Sequence, residues 1–433
     1  MTTTEHKIDN GQIIDLIQHD VELALGCTEP IAVALAVVKA KEILGLTPES
    51  VQLKVSGNMY KNAMSVGIPN TKHKGMLIAA ALGVFSGKSS YLLEVLKDVN
   101  HEIIEEAQTY VEQGKVEVKV IENVDKLYVE AVVFAEGETA NAVIETRHTE
   151  FSAYSKNGDI MFERPEAKHA HILSDGSVEG LSIARIYELG QTAKFEEIKF
   201  ILDTVKYNKR VSEEGLKNNY GLQVGKRLLS TFDKEGLTAD LATRAAARAA
   251  AGSDARMAGC GLPVMTNSGS GNQGITVTLP VLEMAETINA TEEQLARALI
   301  VAHAIPIHIK KRIGPLSALC GILPASIGAG AGVAFLKNGG LEAIENVVKY
   351  MVANLSGMIC DGAKPSCALK IGSSIQAAMQ AVNFSVDDPI QPFADGIVHE
   401  DVEITIKNLA QLGVKGLEKV DPMMLEVLND KCD

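Results

Sequence analysis

The feature that most constrains this chain is a change of texture near residue 177. Before it, residues 115–121, 127–135 and 140–147 alternate apolar and polar side chains with the period of two that a half-buried strand requires. Residues 151–164 continue as a hairpin turning at Asn157-Gly158, a pair suited to the positive φ angles of a tight turn. Beyond residue 177 the spacing becomes helical, over 195–207, 238–257, 292–312, 341–359 and 367–382. Ala- and Gly-rich pieces at 245–252 and 328–332 imply helices in close contact. The fold class is therefore α+β. An N-terminal α+β domain is expected over residues 1–175 and a mainly helical domain over 176–433, divided between Pro165 and Ser177.

Nearer the start, residues 12–25 and 31–44 both carry helical spacing, broken by Gly26-Cys27-Thr28-Glu29-Pro30. Cys27 is thus expected on a helix-to-helix turn. Residues 51–56 alternate like a strand. Gly57, Asn58, Gly67, Pro69 and Asn70 then read as a long polar loop before an apolar helix over 76–84, together forming a pocket wall.

Composition narrows the partners. A formal charge of −14 and a pI near 5.3 repel phosphate, so nucleic acid is not an expected partner, and an anionic substrate must meet a local positive site. Residues 1–10 are polar, without the apolar core of a signal peptide, and no run of about 18 uncharged apolar residues follows. No membrane partner and a cytoplasmic location are expected. A homodimer is expected only as the commonest assembly.

Six cysteines spread over 433 residues are too dilute for a disulfide scaffold. Cys360 is expected to close one helix and Cys367 to open the next, while Cys320 follows a basic helix and Pro315. Three thiolates gathered at element ends suit a 4Fe-4S cluster, leaving one iron open to act as a Lewis acid. Spacing without a CxxC pair is equally compatible with three buried cysteines of no chemistry. Cys27, just before a helix, is expected to have its thiolate favoured by the helix N-terminus, with Glu29 partly opposing. It reads either as a general base or as a buried turn residue.

Several motif matches fail on context. Gly269-Ser270-Gly271-Asn272-Gln273-Gly274 matches GxGxxG, but the β-branched run 275–279 argues against the helix a dinucleotide fold needs. Residues 267–274 instead read as a loop able to hold a small carboxylate, or as a purely structural turn. Gly83-Val84-Phe85-Ser86-Gly87-Lys88-Ser89 is one residue short of a phosphate loop and follows a helical run. His303 and His308, five apart, face directions about 140° apart on a helix and cannot share a metal. Lys310, Lys311 and Arg312 read as a solvated face, with contact to a substrate carboxylate the lesser alternative.

Taken together, Gly26-Cys27-Thr28-Glu29-Pro30, Gly57-Asn58-Met59-Tyr60-Lys61-Asn62, Val66-Gly67-Ile68-Pro69, the 267–274 segment and the three helical-domain cysteines resemble the L-cysteine desulfidase family, itself related to the iron-sulfur L-serine dehydratases. The 39 residues between Cys320 and Cys360 and the six between Cys360 and Cys367 look like the desulfidase pattern. The resemblance covers nearly the whole chain. It implies a 4Fe-4S cluster with one open iron held by Cys320, Cys360 and Cys367, Cys27 as proton acceptor, and no pyridoxal phosphate. The serine dehydratases have a longer gap between their last two helical-domain ligands, and a C-terminal cysteine that can enter the active site. Cys432 echoes that cysteine and is a candidate for capping the open iron. Cys260 has no counterpart and is assigned to packing.

The expected reaction is an oxygen-sensitive β-elimination in which the substrate amino acid L-cysteine yields sulfide, ammonia and pyruvate. Asn58, Lys61, Lys72, Asn267, Ser268, Gly269, Asn272 and Gln273 are the candidate substrate contacts, with Lys61 and Lys72 offered as carboxylate partners. Two alternatives remain open: L-serine dehydration, which differs in the leaving group, and a non-enzymatic iron or oxygen sensor, for which no DNA-binding helix or basic patch is evident.

Overall fold

The computed structural model describes residues 8–165, 178–391 and 394–430, and its architecture is α+β. The expected domain division and Cys432 lie outside the described residues.

The strands, in chain order, are β1 (Leu23–Ala24), β2 (Ser50–Ser56), β3 (Val116–Ile121), β4 (Tyr128–Ala135), β5 (Glu138–Glu145), β6 (Phe151–Lys156), β7 (Asp159–Glu163) and β8 (Val264–Met265). β2 to β7 form one six-stranded sheet in the order β3-β2-β4-β5-β6-β7. β2 and β3 are parallel and the other neighbours antiparallel. β4 alternates buried and exposed positions as its sequence requires, with Val129, Ala131 and Val133 turned inward. The Asn157-Gly158 hairpin is present, with φ of 52° and 89°. Helices Thr28–Leu44, Met76–Phe85 and His101–Glu112 cover the sheet's apolar face, and their buried residues form one core with it.

A second core is built from helices Leu241–Met257, Gly271–Thr287, Glu292–Ile313, Ile322–Leu336, Gly340–Leu355 and Cys367–Val382. The small residues do what their composition suggested. A Cβ on Gly328 would lie 2.3 Å from the Ala302 carbonyl oxygen, so only glycine lets these two helices approach so closely. None of the helices among the described residues is long and apolar enough to cross a membrane.

Four local expectations are corrected. Helical spacing over 12–25 becomes the helix Asn10–Asp20 followed by β1, and that first helix buries Ile13, Ile14 and Ile17 in the second core. β1 pairs antiparallel with β8, so the two halves of the chain are stitched together beside Cys27. The supposed polar loop after β2 begins as the helix Gly57–Ala63, because the Ser56 hydroxyl accepts from the Met59 amide and caps it. The β-branched run 275–279 lies inside the helix Gly271–Thr287, where burial overrides β propensity. The segment before that helix is only the two-residue β8, antiparallel to β1, so a dinucleotide fold still lacks its parallel strand. The helix Gly340–Leu355 also stops short of Cys360.

Candidate active site

Cys27, Cys320, Cys360 and Cys367 come from three distant parts of the chain and line one cavity. The space among these side chains, open solvent at its mouth included, is about 690 Å³.

The three-cysteine wall is set by backbone pairing. Leu319 and Ile359 form an antiparallel bridge, in which the Cys320 amide donates to Met358 O at 2.9 Å and the Cys360 amide to Ala318 O at 2.7 Å. Cys320 and Cys360 therefore lie diagonally across this bridge, on adjacent segments and the same face. Cys367 opens its helix as expected, its amide donating to Lys364 O at 2.9 Å. Burial and the neighbouring Cys360 push the Cys320 thiol up to about 12. Burial raises the Cys367 thiol as well, with Cys360 adding to it.

The adjoining wall carries Cys27, in a small apolar cluster with Val66 and Met257 against which Ala363 and Cys367 pack. It is the N-cap residue of Thr28–Leu44, placed there by Gly26, whose φ of 78° and contact with Pro69 leave no room for a side chain. The expected thiolate is not favoured. Burial pushes Cys27 well above the usual thiol range and the Glu29 charge raises it further, while the Arg256 charge pulls it down by less. The Cys27 thiol donates to Glu29 Oε2 at 3.1 Å. Glu29 also accepts from Thr28 Oγ1 at 3.2 Å and Asn62 Nδ2 at 3.2 Å. Burial alone would raise Glu29, yet the neighbouring His148 and the bond from Cys27 bring it down to about 2, so it is a buried carboxylate. His148 Nε2 lies 3.9 Å from Glu29 Oε1.

Residues 90–426 match the family model described as serine dehydratase alpha chain. Over its full length the chain resembles proteins named UPF0597. It is 42% identical to one from Oleidesulfovibrio alaskensis, covering 97% of this chain and 98% of the relative. It is 41% identical to one from Bacteroides thetaiotaomicron, covering 98% of each.

The chain belongs to the serine dehydratase alpha chain family.

For a member of that family the donor set matters. Among the described residues, no three His, Cys, Asp or Glu side chains are gathered tightly enough to hold a single metal ion. Three thiols around one cavity, Cys320 buried and Cys360 and Cys367 half-buried, fit a polynuclear iron cluster better, in which each thiolate would bind its own iron and cationic iron would take the place of the protons. Lys310 adds a positive group to this wall. It was expected on a solvated face, but it is buried, lines the cavity and donates to Pro315 O at 3.2 Å. Burial pulls it down to about 8 against the pull of Cys360 and Cys320.

The candidate substrate contacts divide. Ser268, Gly269, Asn272 and Gln273 line the cavity. Ser268 and Gly269, with φ of 49° and 75°, turn the chain into Gly271–Thr287, so the segment is a bridged turn and a helix start, not an extended loop. Asn267 lies beneath, its amide nitrogen 3.2 Å from His303 Nδ1 and donating to His303 O at 3.0 Å. Burial holds His303 down to about 3, so it stays neutral. His308 meets Glu403 at 2.8 Å, on a different side, as the five-residue spacing required.

Asn58 and Lys61 do not face the cavity. Both bind Asp421, at 2.9 and 2.6 Å, and Lys61 also donates to Cys360 O at 3.1 Å. They fasten the C-terminal helix Val420–Asn429 beside the cysteine wall. Lys72 is exposed and outside the cavity, so it is corrected as a carboxylate partner. Cys260 is buried in the helical core, away from the cavity lining.

Sequence reading missed Arg256, His148 and Asn62. The only signal for Arg256 was a charged residue closing the otherwise Ala- and Gly-rich stretch 245–256.

Proposed function

We propose that this family member is an L-cysteine desulfidase, an iron-sulfur lyase that converts L-cysteine and water to sulfide, ammonia and pyruvate without pyridoxal phosphate. The convergence of Cys27, Cys320, Cys360 and Cys367 on one cavity carries this reading. Cys320, Cys360 and Cys367 would hold a 4Fe-4S cluster. Such a cluster supplies a Lewis acid, at the iron no protein residue holds, for the group leaving the β-carbon.

Cys27 would accept the Cα proton. It must first give up its own to solvent before substrate seats, and the Arg256 charge favours that loss against burial and the Glu29 charge. The thiolate so formed takes the Cα proton as the β-bond breaks, giving aminoacrylate, which water converts to pyruvate and ammonia. Burial of Glu29, Asn62 and His148 around Cys27 excludes water that would compete for that proton.

The family description favours a second reading, L-serine dehydration, with hydroxide as the leaving group. Anaerobic reconstitution with iron and sulfide, followed by pyruvate and sulfide assays on L-cysteine and L-serine in parallel, separates the two. Equimolar pyruvate and sulfide from cysteine supports the desulfidase; pyruvate from serine alone makes the protein a dehydratase.

A further inference from the structure

Arg256 is 3% exposed and lines the cavity, yet among the described residues no carboxylate forms an ion pair with it. Its Nε donates to Gly26 O at 3.1 Å and its Nη1 to Asn272 Oδ1 at 3.1 Å, while Nη2 has no partner. Asn272 in turn donates to Met257 Sδ at 3.4 Å, so the guanidinium is pinned on two sides. The first residue of Gly271–Thr287 makes room for it: a Cβ on Gly271 would stand 2.4 Å from Arg256 Nε.

Gln273, 4% exposed, lines the same cavity with its Oε1 unpartnered, and a Cβ on Gly321 beside Cys320 would lie 2.8 Å from its Nε2. An unpaired buried cation, the N-terminus of a 17-residue helix and an unmatched amide thus share one wall. A buried charge is costly unless something of opposite sign completes it. A helix N-terminus adds to the attraction for an anion.

We propose that Arg256, positioned by Asn272 and Gly271, is the seat of the substrate's α-carboxylate, with Gln273 as its polar neighbour on the side of Cys320. The assignment rests on the amino-acid lyase reading and deepens it. It places the carboxylate against the residue that bonds the carbonyl of Gly26, next to Cys27, so that the Cα proton is presented to the Cys27 wall and the β-substituent to the three-cysteine wall. It also answers how a chain of net charge −14 admits an anion.

The test measures binding separately from turnover. The full-length reconstituted protein is titrated calorimetrically with L-alanine, which has the carboxylate and amine but no leaving group, and with ethylamine, which lacks the carboxylate. The parent protein should bind L-alanine and not ethylamine. Arg256→Met should weaken L-alanine about ten- to a hundredfold, Arg256→Lys less, and KM should rise more than kcat falls. Gln273→Glu, which keeps Arg256 but sets a negative charge beside it, should also weaken L-alanine, so the idea stays testable if Arg256→Met does not fold. Unchanged L-alanine affinity in Arg256→Met, or no binding by the parent protein, overturns the assignment. Intact L-alanine binding without turnover of cysteine or serine would sink the lyase reading and leave the carboxylate seat standing.

Discussion

The two walls of the cavity differ in how complete they are as protein. On the Cys27 wall, Glu29 is buried but accepts from Cys27, Thr28 and Asn62. On the other wall, Cys320, Cys360 and Cys367 stand together, and burial with the neighbouring Cys360 raises the Cys320 and Cys367 thiols. A carboxylate that gathers three donors holds the Cys27 proton in place. A set of thiols that resist becoming thiolates is built to be completed by cations.

If the comparison is right, the walls should fail differently. Serine at Cys320, Cys360 or Cys367 should reduce bound iron sharply and abolish turnover, measured by iron content and pyruvate release. Cys27→Ala should leave iron content unchanged and cut turnover by about a hundred- to ten-thousandfold, the span of general-base contributions. Loss of iron in Cys27→Ala would erase the distinction between the walls.

Glu29→Gln sharpens it further. The neutral amide takes away the charge that raises the Cys27 thiol, so the acid limb of the kcat profile should move to lower pH with iron content and folding retained. A profile that stays in place, or moves to higher pH, would remove Glu29 from control of the Cys27 proton.

The smallest effect lies away from both walls. His308 and Glu403 tie the helix carrying Lys310 to the helix Val402–Gln411. Burial alone would raise Glu403, but the bond and charge of His308 hold it below the usual carboxylate range. A carboxylate depressed in the folded state stabilises fully above its unfolded pKa and loses that contribution as pH falls through the folded value. Glu403→Gln should lower Tm by about 2 °C near neutral pH, with the gap closing in acid and kcat unchanged. A gap that widened in acid would contradict this.

What the sequence disclosed follows the same division. Local signals were readable: the alternation of β4, the hairpin at Asn157-Gly158 and the start of the last cysteine helix at Cys367 all lie where the pattern put them. Long-range ones were not. Lys310 belongs to a basic run that looks solvated, and only the fold turns it into the cavity. Arg256 and His148 are separated from Cys27 by more than a hundred residues and carry no local motif. Asn58 and Lys61 looked like substrate contacts because they are polar and near a turn, whereas their partner Asp421 lies some 360 residues away.

The proposed reaction requires above all that three protein thiolates hold a four-iron cluster with one iron left for substrate. Mössbauer spectroscopy of the anaerobically reconstituted protein, with iron and sulfide counted on the same sample, tests it most directly. About four irons and four sulfides per chain are expected, with one iron distinct from the rest and shifted on adding L-cysteine. A sample with no cluster, or with irons that are all alike and unmoved by L-cysteine, would contradict it.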